Sequence, residues 1–440
     1  MYVGKVPTVD EFQTSKFYAK RDTVLSAVGH DWSKPMEEGP WEIGFETSYI
    51  TTGGIQSPPY MFFRNNTLDI RSGEIKYWNE GNYSMPRGLS VIKASGEGSE
   101  EWDSTAYNMI LVNETKAFLD NHVSSESNPF FTYIALGAVH LPNTPPYHFD
   151  DGSPVAKEFG TPHMDVLYEM DKVVGALVEA LDDRNLLEDT IIIFTSDNGG
   201  LNNETHSDEH GHLSNGPLRG AKGDLYEGGI RVPMTFRWDN GPIPKGETRS
   251  NLIGLNDLYR TICNLVGVEV PNNQAVDSMN FAKYLLNAQK DAGLRKWYGA
   301  WMYDSSRLIR EVMRYKEMKL VRSFQNDTYE LFNLTDDISE SKDISRENDD
   351  TVQKLFRKLR FEGPCYDKGG LFKVETKNRK RNFAYKSCFW IRQRRTAKRC
   401  QKFPEAKQHC RNSCAGRNSQ YCAKDLHSEQ KLFKIFSNTY

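Results

Sequence analysis

The middle of the chain alternates between strand-like and helical spacing of apolar residues. Residues 190–195, TIIIFT, are a short β-rich run that predicts a strand buried on both faces, and SDNGG follows directly. Before this run, apolar residues recur every three or four positions, at Met164, Leu167, Met170, Val174, Leu177 and Leu181. That spacing predicts an amphipathic helix, and a helix that leads into a buried strand predicts a unit of a mostly parallel sheet.

Similar patterns extend to both sides of this unit. Residues 105–123 and 251–268 have helical spacing, and residues 130–136 predict another buried strand. Residues 60–105 are rich in Asn, Gly and Ser and predict an irregular surface segment. Further on, WYGAWMYD, MRYKEMKLVR and TYELFNLTDD alternate aromatic and charged residues, as short antiparallel strands do. We therefore expect an α/β domain with a mostly parallel central sheet and helices on both faces, then a small antiparallel sheet.

Length and charge divide the chain further. With 440 residues it has room for roughly two to three domains, and it contains no run of about eighteen apolar residues, so no membrane span is expected. The net charge of −3 conceals an asymmetry, because residues 373–411 carry 14 Lys and Arg against 2 Glu. The predicted boundaries are 1–285 for the α/β domain, 286–350 for the antiparallel subdomain and 360–425 for a basic, Cys-rich module.

Cysteine usage also separates the tail from the body. Six of the seven cysteines lie in the last fifth of the chain: Cys365, Cys388, Cys400, Cys410, Cys414 and Cys422. An even number in a short polar stretch predicts a disulfide framework, of undetermined connectivity, formed in an oxidising compartment. A zinc site is the alternative, although the tail has no CxxC pair. Cys263 lies in an apolar helix and is expected in the core.

N-x-S/T sequons suit a glycoprotein of the secretory pathway. They begin at Asn65, Asn82, Asn113, Asn203, Asn326 and Asn333. Together with the predicted disulfides they indicate a secreted protein or one of a lysosome-like compartment, although no signal-peptide pattern is visible in residues 1–12. The basic tail predicts attraction to an anionic glycan, with a basic disulfide knot that binds nothing as the alternative. No nucleic acid partner is expected.

Chemistry-bearing residues follow the central strand. Asp197 and Asn198 lie just past its end, where ligands bind in an open α/β sheet, and a glycine-rich loop with Arg219 and Lys222 comes next. This combination suggests a hard cation beside an anionic group. The blocks FTSDNGG, GPLRGAKGDLYEGGIRVP and the upstream PFFTYIALGAVHLPNTP resemble the sulfatase family, arylsulfatase type, of the alkaline-phosphatase-like superfamily. The resemblance covers residues 30–345.

The resemblance implies hydrolysis of an aryl or carbohydrate sulfate ester, with one Ca²⁺ in the site. Asp197 and Asn198 are then Ca²⁺ ligands, while Lys222 and His140 hold the sulfate and assist the leaving group. The expected substrate contacts are Lys5, Thr51, His212 and Arg219. The substrate is then a sulfated small molecule or a sulfated polysaccharide.

Several of these residues could instead have structural or solvent-exposed roles without contact to substrate. Arg219 suits an ion pair with a carboxylate, Lys5 suits a solvated lysine, and a His that follows a strand, as His140 does, is often structural. Residues 202–215 carry His206, His210 and His212 with Asp208 and Glu209, which would by themselves resemble a metal cluster. A solvated loop, or a loop at the rim of the substrate pocket, is the favoured interpretation.

The resemblance is incomplete at the amino end. Sulfatases use a Cys or Ser in C/S-x-P-x-R, oxidised to formylglycine, as nucleophile, and place paired aspartates before it. This nucleophile motif is absent from the sequence. The preferred interpretation is a sulfatase whose catalytic domain, in residues 1–285, lacks its amino-terminal part and is inactive as written. The alternatives are an inactive secreted glycan-binding protein on this scaffold, and a phosphomonoesterase or phosphodiesterase of the same superfamily.

Overall fold

The computed structural model describes residues 31–53, 55, 57–69, 71, 73–125, 128–201, 211–286, 294–304 and 307–362, together with the backbone of the short strands outside these ranges. The strands are β1 (Tyr2–Lys5), β2 (Ser48–Thr51), β3 (Phe63–Arg64), β4 (Thr67–Leu68), β5 (Ile75–Trp78), β6 (Gly81–Met85), β7 (Gly88–Lys93), β8 (Gly96–Ser99), β9 (Tyr133–Ala135), β10 (Ile192–Thr195), β11 (Met234–Arg237), β12 (Trp297–Asp304), β13 (Arg307–Tyr315), β14 (Met318–Ser323), β15 (Thr328–Asn333), β16 (Glu375–Thr376) and β17 (Arg379–Lys380). The α-helices are α1 (Tyr107–Ser125), α2 (Pro162–Asp182), α3 (Glu227–Ile230), α4 (Leu258–Leu265), α5 (Ala282–Leu286) and α6 (Asp349–Glu362).

A five-stranded mixed sheet has the order β4-β3-β2-β1-β9. Strand β1 pairs in parallel with β2 and with β9, whereas β3 and β4 are antiparallel additions at one edge. The parallel register places Lys5 opposite Thr51, so the carboxyl ends of β1 and β2 coincide. Parallel pairing is therefore present among three strands, and the sheet is mixed rather than mostly parallel.

Helices α1 and α2 pack against each other, and α1 contacts the five-stranded sheet. Tyr107 and Leu111 of α1 join the aromatic core over the sheet, while Val112 meets Val173 of α2. The side chain of Thr161 caps α2 by accepting a hydrogen bond from the third residue of the helix. Both helices confirm the predictions made from the spacing of apolar residues, because that spacing indicates directly which face of a helix is buried.

Strands β10 and β11 form a separate antiparallel pair. The sequence predicts that β10 is buried on both faces and that β9 is buried, but the side chains of β10 are half-buried and Tyr133 of β9 is 49% exposed. Among the described residues, β9 pairs only with β1 and β10 only with β11, so each is covered from fewer directions than a central strand. Apolar composition predicts the strand but does not determine how many neighbours cover it.

The prediction of an irregular surface segment over residues 60–105 is wrong. The segment contains two antiparallel pairs, β5 with β8 and β6 with β7, and it buries Trp78, Met85 and Val91. Its core depends on a few large rings, among them Tyr60 and Trp102, each no more than 5% exposed. A few aromatic side chains bury as much area as many small apolar ones, so a strand rich in Gly and Ser can still belong to a core.

The carboxyl-terminal sheet has the order β12-β13-β14-β15 and is antiparallel throughout, as the sequence predicts. On one face, Val321 and Phe332 pack against Leu225 and Tyr226 from the loop before α3. On the other face, Leu320 and its neighbours pack against α6. The sheet is thus buried on both faces and joins the loop to the carboxyl-terminal helix.

Three further expectations can be compared with the structure. Cys263 is a half-buried thiol rather than a core residue, because the eight-residue helix α4 buries its other face, around Thr261. The predicted Cys-rich module lies outside the described residues apart from the backbone of β16 and β17. No helix in the described part of the chain is both long and apolar enough to cross a membrane.

Lys93, at the end of β7, is a buried lysine without a carboxylate partner in the described structure. It is 0% exposed, and its Nζ lies 3.4 Å from the centroid of the Trp78 ring and 5.3 Å from that of Tyr60. Nζ has no hydrogen-bond partner among the described residues. Burial, followed by the nearby charge of Lys76, lowers the pKa of Lys93 to about 7.

Replacing this lysine is expected to stabilise the fold. The unfolded lysine titrates at 10.5 and the folded one at about 7, so between these pH values the unfolded state binds more protons and stability rises with pH. Lys93→Met removes the buried amine and should raise the free energy of unfolding at pH 7 by about 1–3 kcal/mol, with a flatter pH dependence. Urea denaturation at pH 7 and pH 9 measures both effects.

The matched control is Lys76→Met, which removes an exposed ammonium that lies 4.1 Å from the centroid of the same Trp78 ring. We expect it to change stability by less than about 0.5 kcal/mol. Equal effects of the two substitutions would contradict the role assigned to the burial of Lys93.

Candidate active site

A contact between His140 and Lys222 joins the segments that follow β9 and β10. The Nζ of Lys222 lies 2.9 Å from Nε2 of His140, and Nδ1 of His140 lies 2.6 Å from the carbonyl oxygen of Leu141. A carbonyl oxygen only accepts hydrogen bonds, so Nδ1 carries the proton and Nε2 accepts from the Lys222 ammonium. The structure therefore brings together the two residues that the sequence suggests as catalytic, and the pair presents one positive charge at an exposed position.

The loop that carries Lys222 is fixed on the end of β10. The backbone N–H of Lys222 donates to the carbonyl of Gly200 at 2.9 Å. The Asn215 amide accepts from the N–H of Gly200 at 2.8 Å and donates to its carbonyl at 3.0 Å. A Cβ at Gly199 would lie 1.7 Å from the carbonyl oxygen of Gly228, so only glycine permits this approach. The SDNGG turn and the EGGI segment thus pack closely against each other.

Asp197 and Asn198, predicted as Ca²⁺ ligands, follow β10 directly. Asp197 is exposed, and Asn198 donates through Nδ2 to the carbonyl of Gly199 at 2.9 Å, which directs its Oδ1 elsewhere. Carboxylate and amide oxygens suit Ca²⁺, which takes about six to eight oxygen ligands. The described residues contain no cluster of three or more His, Cys, Asp or Glu side chains suited to a metal ion. The oxygen atoms of these two residues are of the type that Ca²⁺ prefers, and their assignment as ligands stays a prediction.

Arg219 makes structural contacts in the loop. Its Nη1 lies 3.1 Å from Oε1 of Glu330 and 3.0 Å from the carbonyl oxygen of Glu340, and its guanidinium carbon lies 3.8 Å from the centroid of the Tyr226 ring. The Tyr226 hydroxyl also donates to Glu330. These contacts tie the loop to β15 and favour the structural alternative for Arg219. A direct contact with substrate stays a prediction.

A buried ion cluster beneath the loop was not predicted from the sequence. The Nζ of Lys319 lies 2.9 Å from Oε1 of Glu227 and 2.8 Å from Oε1 of Glu340, and all three side chains are at most 2% exposed. The backbone N–H of Glu227 donates to Oε2 of Glu340 at 2.6 Å, and Arg314 lies 3.4 Å from Oε2 of Glu227. Burial raises the pKa of Glu340, an effect that Lys319 opposes.

One signal in the sequence could have identified this cluster. Lys319 and Val321 share a face of β14 because side chains alternate along a strand, and Val321 belongs to the core. A charged residue at an inward-facing position requires an opposite charge nearby. The sequence does not show which carboxylates supply it, because Glu227 precedes Lys319 by 92 residues.

The other predicted substrate residues lie in different surroundings. Thr51 is 0% exposed and its hydroxyl lies 3.2 Å from that of Tyr107, whose pKa burial raises to about 12. This burial favours a supporting role for Thr51. The backbone of Lys5 lies opposite Thr51. His212 is half-buried, with its ring 6.1 Å from that of His163, whose pKa is lowered by burial and then by His212. Contacts of these residues with substrate stay predictions.

The predicted sites of modification are only partly described. Exposed sequon asparagines are Asn65, Asn82, Asn113 and Asn326. Asn333 is half-buried and donates to Asp336 at 2.6 Å. Outside the described residues lie Asn203 and the predicted disulfide cysteines Cys365, Cys388, Cys400, Cys410, Cys414 and Cys422. Glycosylation and disulfide formation stay predictions.

The chain matches the sulfatase family over residues 44–268, just over half of its length. The protein therefore belongs to the sulfatase family, which confirms the resemblance of its sequence blocks. Residues 221–362 also match the carboxyl-terminal family named for N-sulphoglucosamine sulphohydrolase. This second match includes the loop with Lys222 and the whole carboxyl-terminal sheet.

Several relatives and solved structures are similar to this chain. A sulfatase of Formosa agariphila is 28% identical over 265 residues, which cover 54% of this chain and 46% of that protein. N-acetylgalactosamine-6-O-sulfatase of Bacteroides thetaiotaomicron is 28% identical over 372 residues, 74% of this chain and 70% of the relative. A solved sulfatase from a study of glycosaminoglycan metabolism by the same bacterium has a TM-score of 0.61 at 21% identity, over 75% of both chains. The first relative is thus matched over less than half of its length, and the structural likeness shows the fold.

Breaking the buried ion cluster should destabilise the protein strongly. Lys319→Met leaves Glu227 and Glu340 buried without their ammonium, and we expect the free energy of unfolding at pH 7 to fall by about 3–5 kcal/mol. The control Glu330→Gln removes a carboxylate from a partly exposed pair with Arg219 and should cost at most about 1 kcal/mol. Urea denaturation of both variants measures the difference. A loss for Lys319→Met no larger than that of the control would contradict the importance of the cluster.

Proposed function

We propose that this protein binds sulfate esters where the segments after β9 and β10 meet, and that it acts in their hydrolysis. The observation that carries the proposal is the 2.9 Å contact between Lys222 and His140, beside a β10 end that also bears Asp197. Membership of the sulfatase family supports the reaction. A sulfated carbohydrate is the proposed substrate class, supported by the name of the N-acetylgalactosamine-6-O-sulfatase relative, with an aryl sulfate as the alternative.

The chemistry of the pair suits sulfate transfer. An ammonium has three N–H donors, so Lys222 keeps two for sulfate oxygens while it donates to His140. As the sulfur–oxygen bond breaks, negative charge passes to the leaving oxygen. A fixed ammonium near that oxygen stabilises the transition state more than the ground state. His140, with Nδ1–H directed to the carbonyl of Leu141, holds the ammonium through Nε2.

Asp197 and Asn198 are the residues that would hold Ca²⁺. When bound, the cation supplies positive charge for the sulfate oxygens. The family resemblance implies a formylglycine nucleophile, and no residue of the sequence stands in the motif that forms one. The expected properties that rest on residues of this chain are therefore binding of sulfate esters and of Ca²⁺.

Binding of 4-nitrophenyl sulfate tests the role of Lys222. Lys222→Ala removes the ammonium, and we expect at least a tenfold higher dissociation constant by isothermal titration calorimetry, on the order of one charge-assisted hydrogen bond. The control Lys245→Ala removes an exposed lysine that lies 3.8 Å from Asp239 and should leave the affinity unchanged. Unchanged affinity in Lys222→Ala would contradict the proposed site. Retained affinity for a sulfated polysaccharide in that variant would support the non-catalytic glycan binder instead.

Removal of a calcium ligand tests the metal assignment. Asp197→Ala deletes the only charged ligand of the proposed pair, so Ca²⁺ should raise the melting temperature of the wild type but not that of the variant. The control Asp171→Ala removes an exposed carboxylate on α2 and should keep the response to Ca²⁺. Differential scanning fluorimetry with Ca²⁺ or a chelator gives the comparison. An equal response of Asp197→Ala and the wild type would exclude Asp197 as a ligand.

A further inference from the structure

A chain of buried hydrogen bonds lies beneath the loop that carries His140. Asn108, the second residue of α1, is 6% exposed, and its Oδ1 accepts from the backbone N–H of Gly137 at 3.0 Å and that of Ala138 at 3.4 Å. On the other side, Nδ2 of Asn108 donates to Oε1 of Glu169 at 3.0 Å. Glu169 lies in α2 and is 1% exposed. Two helices thus contact the loop through a single amide group.

These partners fix the orientation of the Asn108 amide. A backbone N–H only donates, so the atom of Asn108 that faces Gly137 is the oxygen and the atom that faces Glu169 is the nitrogen. An acceptor at position 169 is therefore what keeps the amide oxygen directed at the loop. Without that acceptor, the buried nitrogen loses its partner and the orientation of the amide is no longer specified.

The loop transmits its position to His140. A Cβ at Gly137 would lie 3.0 Å from Cδ1 of Tyr107 and 3.5 Å from Oδ1 of Asn108, so Gly137 lies closely on the start of α1. The backbone N–H of His140 donates to the carbonyl of Gly137 at 2.9 Å, which closes a turn between them. A displacement of Gly137 therefore moves His140 and its contact with Lys222.

We propose that Asn108 and Glu169 are positioning residues of the sulfate site. Glu169 orients the amide of Asn108, and Asn108 holds the turn that presents His140 to Lys222. Neither residue touches the substrate. The proposal rests on the proposed function, because it takes His140 and Lys222 as the residues that bind sulfate.

The chemistry of Glu169 provides a matched pair of variants. Burial raises the pKa of Glu169 to about 8, against the effect of the hydrogen bond from Asn108, and thereby favours the neutral carboxylic acid at pH 7. A glutamine side chain of the same length offers the same carbonyl-type acceptor without a charge. Leucine has a similar volume and no acceptor. Glu169→Gln and Glu169→Leu thus separate the hydrogen bond from packing.

The test compares Glu169→Gln, Glu169→Leu and Asn108→Leu in the full chain at pH 7. Hydrogen exchange of a peptide spanning residues 136–141 is followed by mass spectrometry, and the affinity for inorganic sulfate is measured by isothermal titration calorimetry. We expect exchange about tenfold faster, and sulfate binding about 5–30-fold weaker, in both leucine variants. Glu169→Gln should stay within about twofold of the wild type in both measurements.

The outcomes separate this inference from the proposed function. Wild-type exchange over residues 136–141 in the leucine variants overturns the inference, as does a Glu169→Gln variant that loses sulfate affinity like Glu169→Leu. If Asn108→Leu does not fold, the Glu169 pair decides. Suppose that the leucine variants exchange faster but bind sulfate as tightly as the wild type. If Lys222→Ala abolishes sulfate binding, this result overturns the positioning role of Asn108 and Glu169. If Lys222→Ala instead binds sulfate with wild-type affinity, the proposed sulfate site itself is overturned.

Discussion

The ammonium of Lys319, held between the carboxylates of Glu227 and Glu340, is the interaction on which the candidate site depends. The three side chains are at most 2% exposed, so removing Lys319 would leave two carboxylates without their ammonium where water does not reach. Glu227 is the first residue of α3, directly after the loop that carries Lys222, whereas Lys319 lies in the carboxyl-terminal sheet. The cluster therefore fixes the loop relative to that sheet, which explains how an exposed lysine on a glycine-rich loop acquires a defined position.

The two halves of the site are held by different parts of the fold. The half with Lys222 is held by the carboxyl-terminal sheet, whereas the half with His140 is held by α1 and α2 through Asn108 and Glu169. In both halves the exposed group is a nitrogen-bearing side chain, and the group that fixes its backbone is buried and polar. Such an arrangement leaves the outer atoms accessible to a substrate while the backbone beneath them is restrained.

The favoured charge state of each buried ionisable group in this protein depends on its partners. Lys319 has carboxylates at 2.8 and 2.9 Å, whereas Lys93 has aromatic rings and a lowered pKa. Glu169 has a neutral amide as partner, and burial raises its pKa. An opposite charge offsets the cost of desolvation, while rings and amides leave the neutral form favoured. Burial alone therefore does not predict the charge of these groups, because the partner decides it.

The sequence by itself determined the family, the helices α1 and α2, the strand β10 and the carboxyl-terminal sheet. These features depend on short contiguous motifs and on local periodicity, which a single stretch of chain contains in full. The same reasoning predicted Lys222 and His140 as catalytic residues, but their contact spans 82 positions and was visible only in the structure. It failed over residues 60–105, where a few rings among many small polar residues form a core. Tertiary structure alone decided the roles of Asn108, Glu169 and Lys319, because a buried charged or polar residue looks in sequence like one on the surface until its distant partners are known.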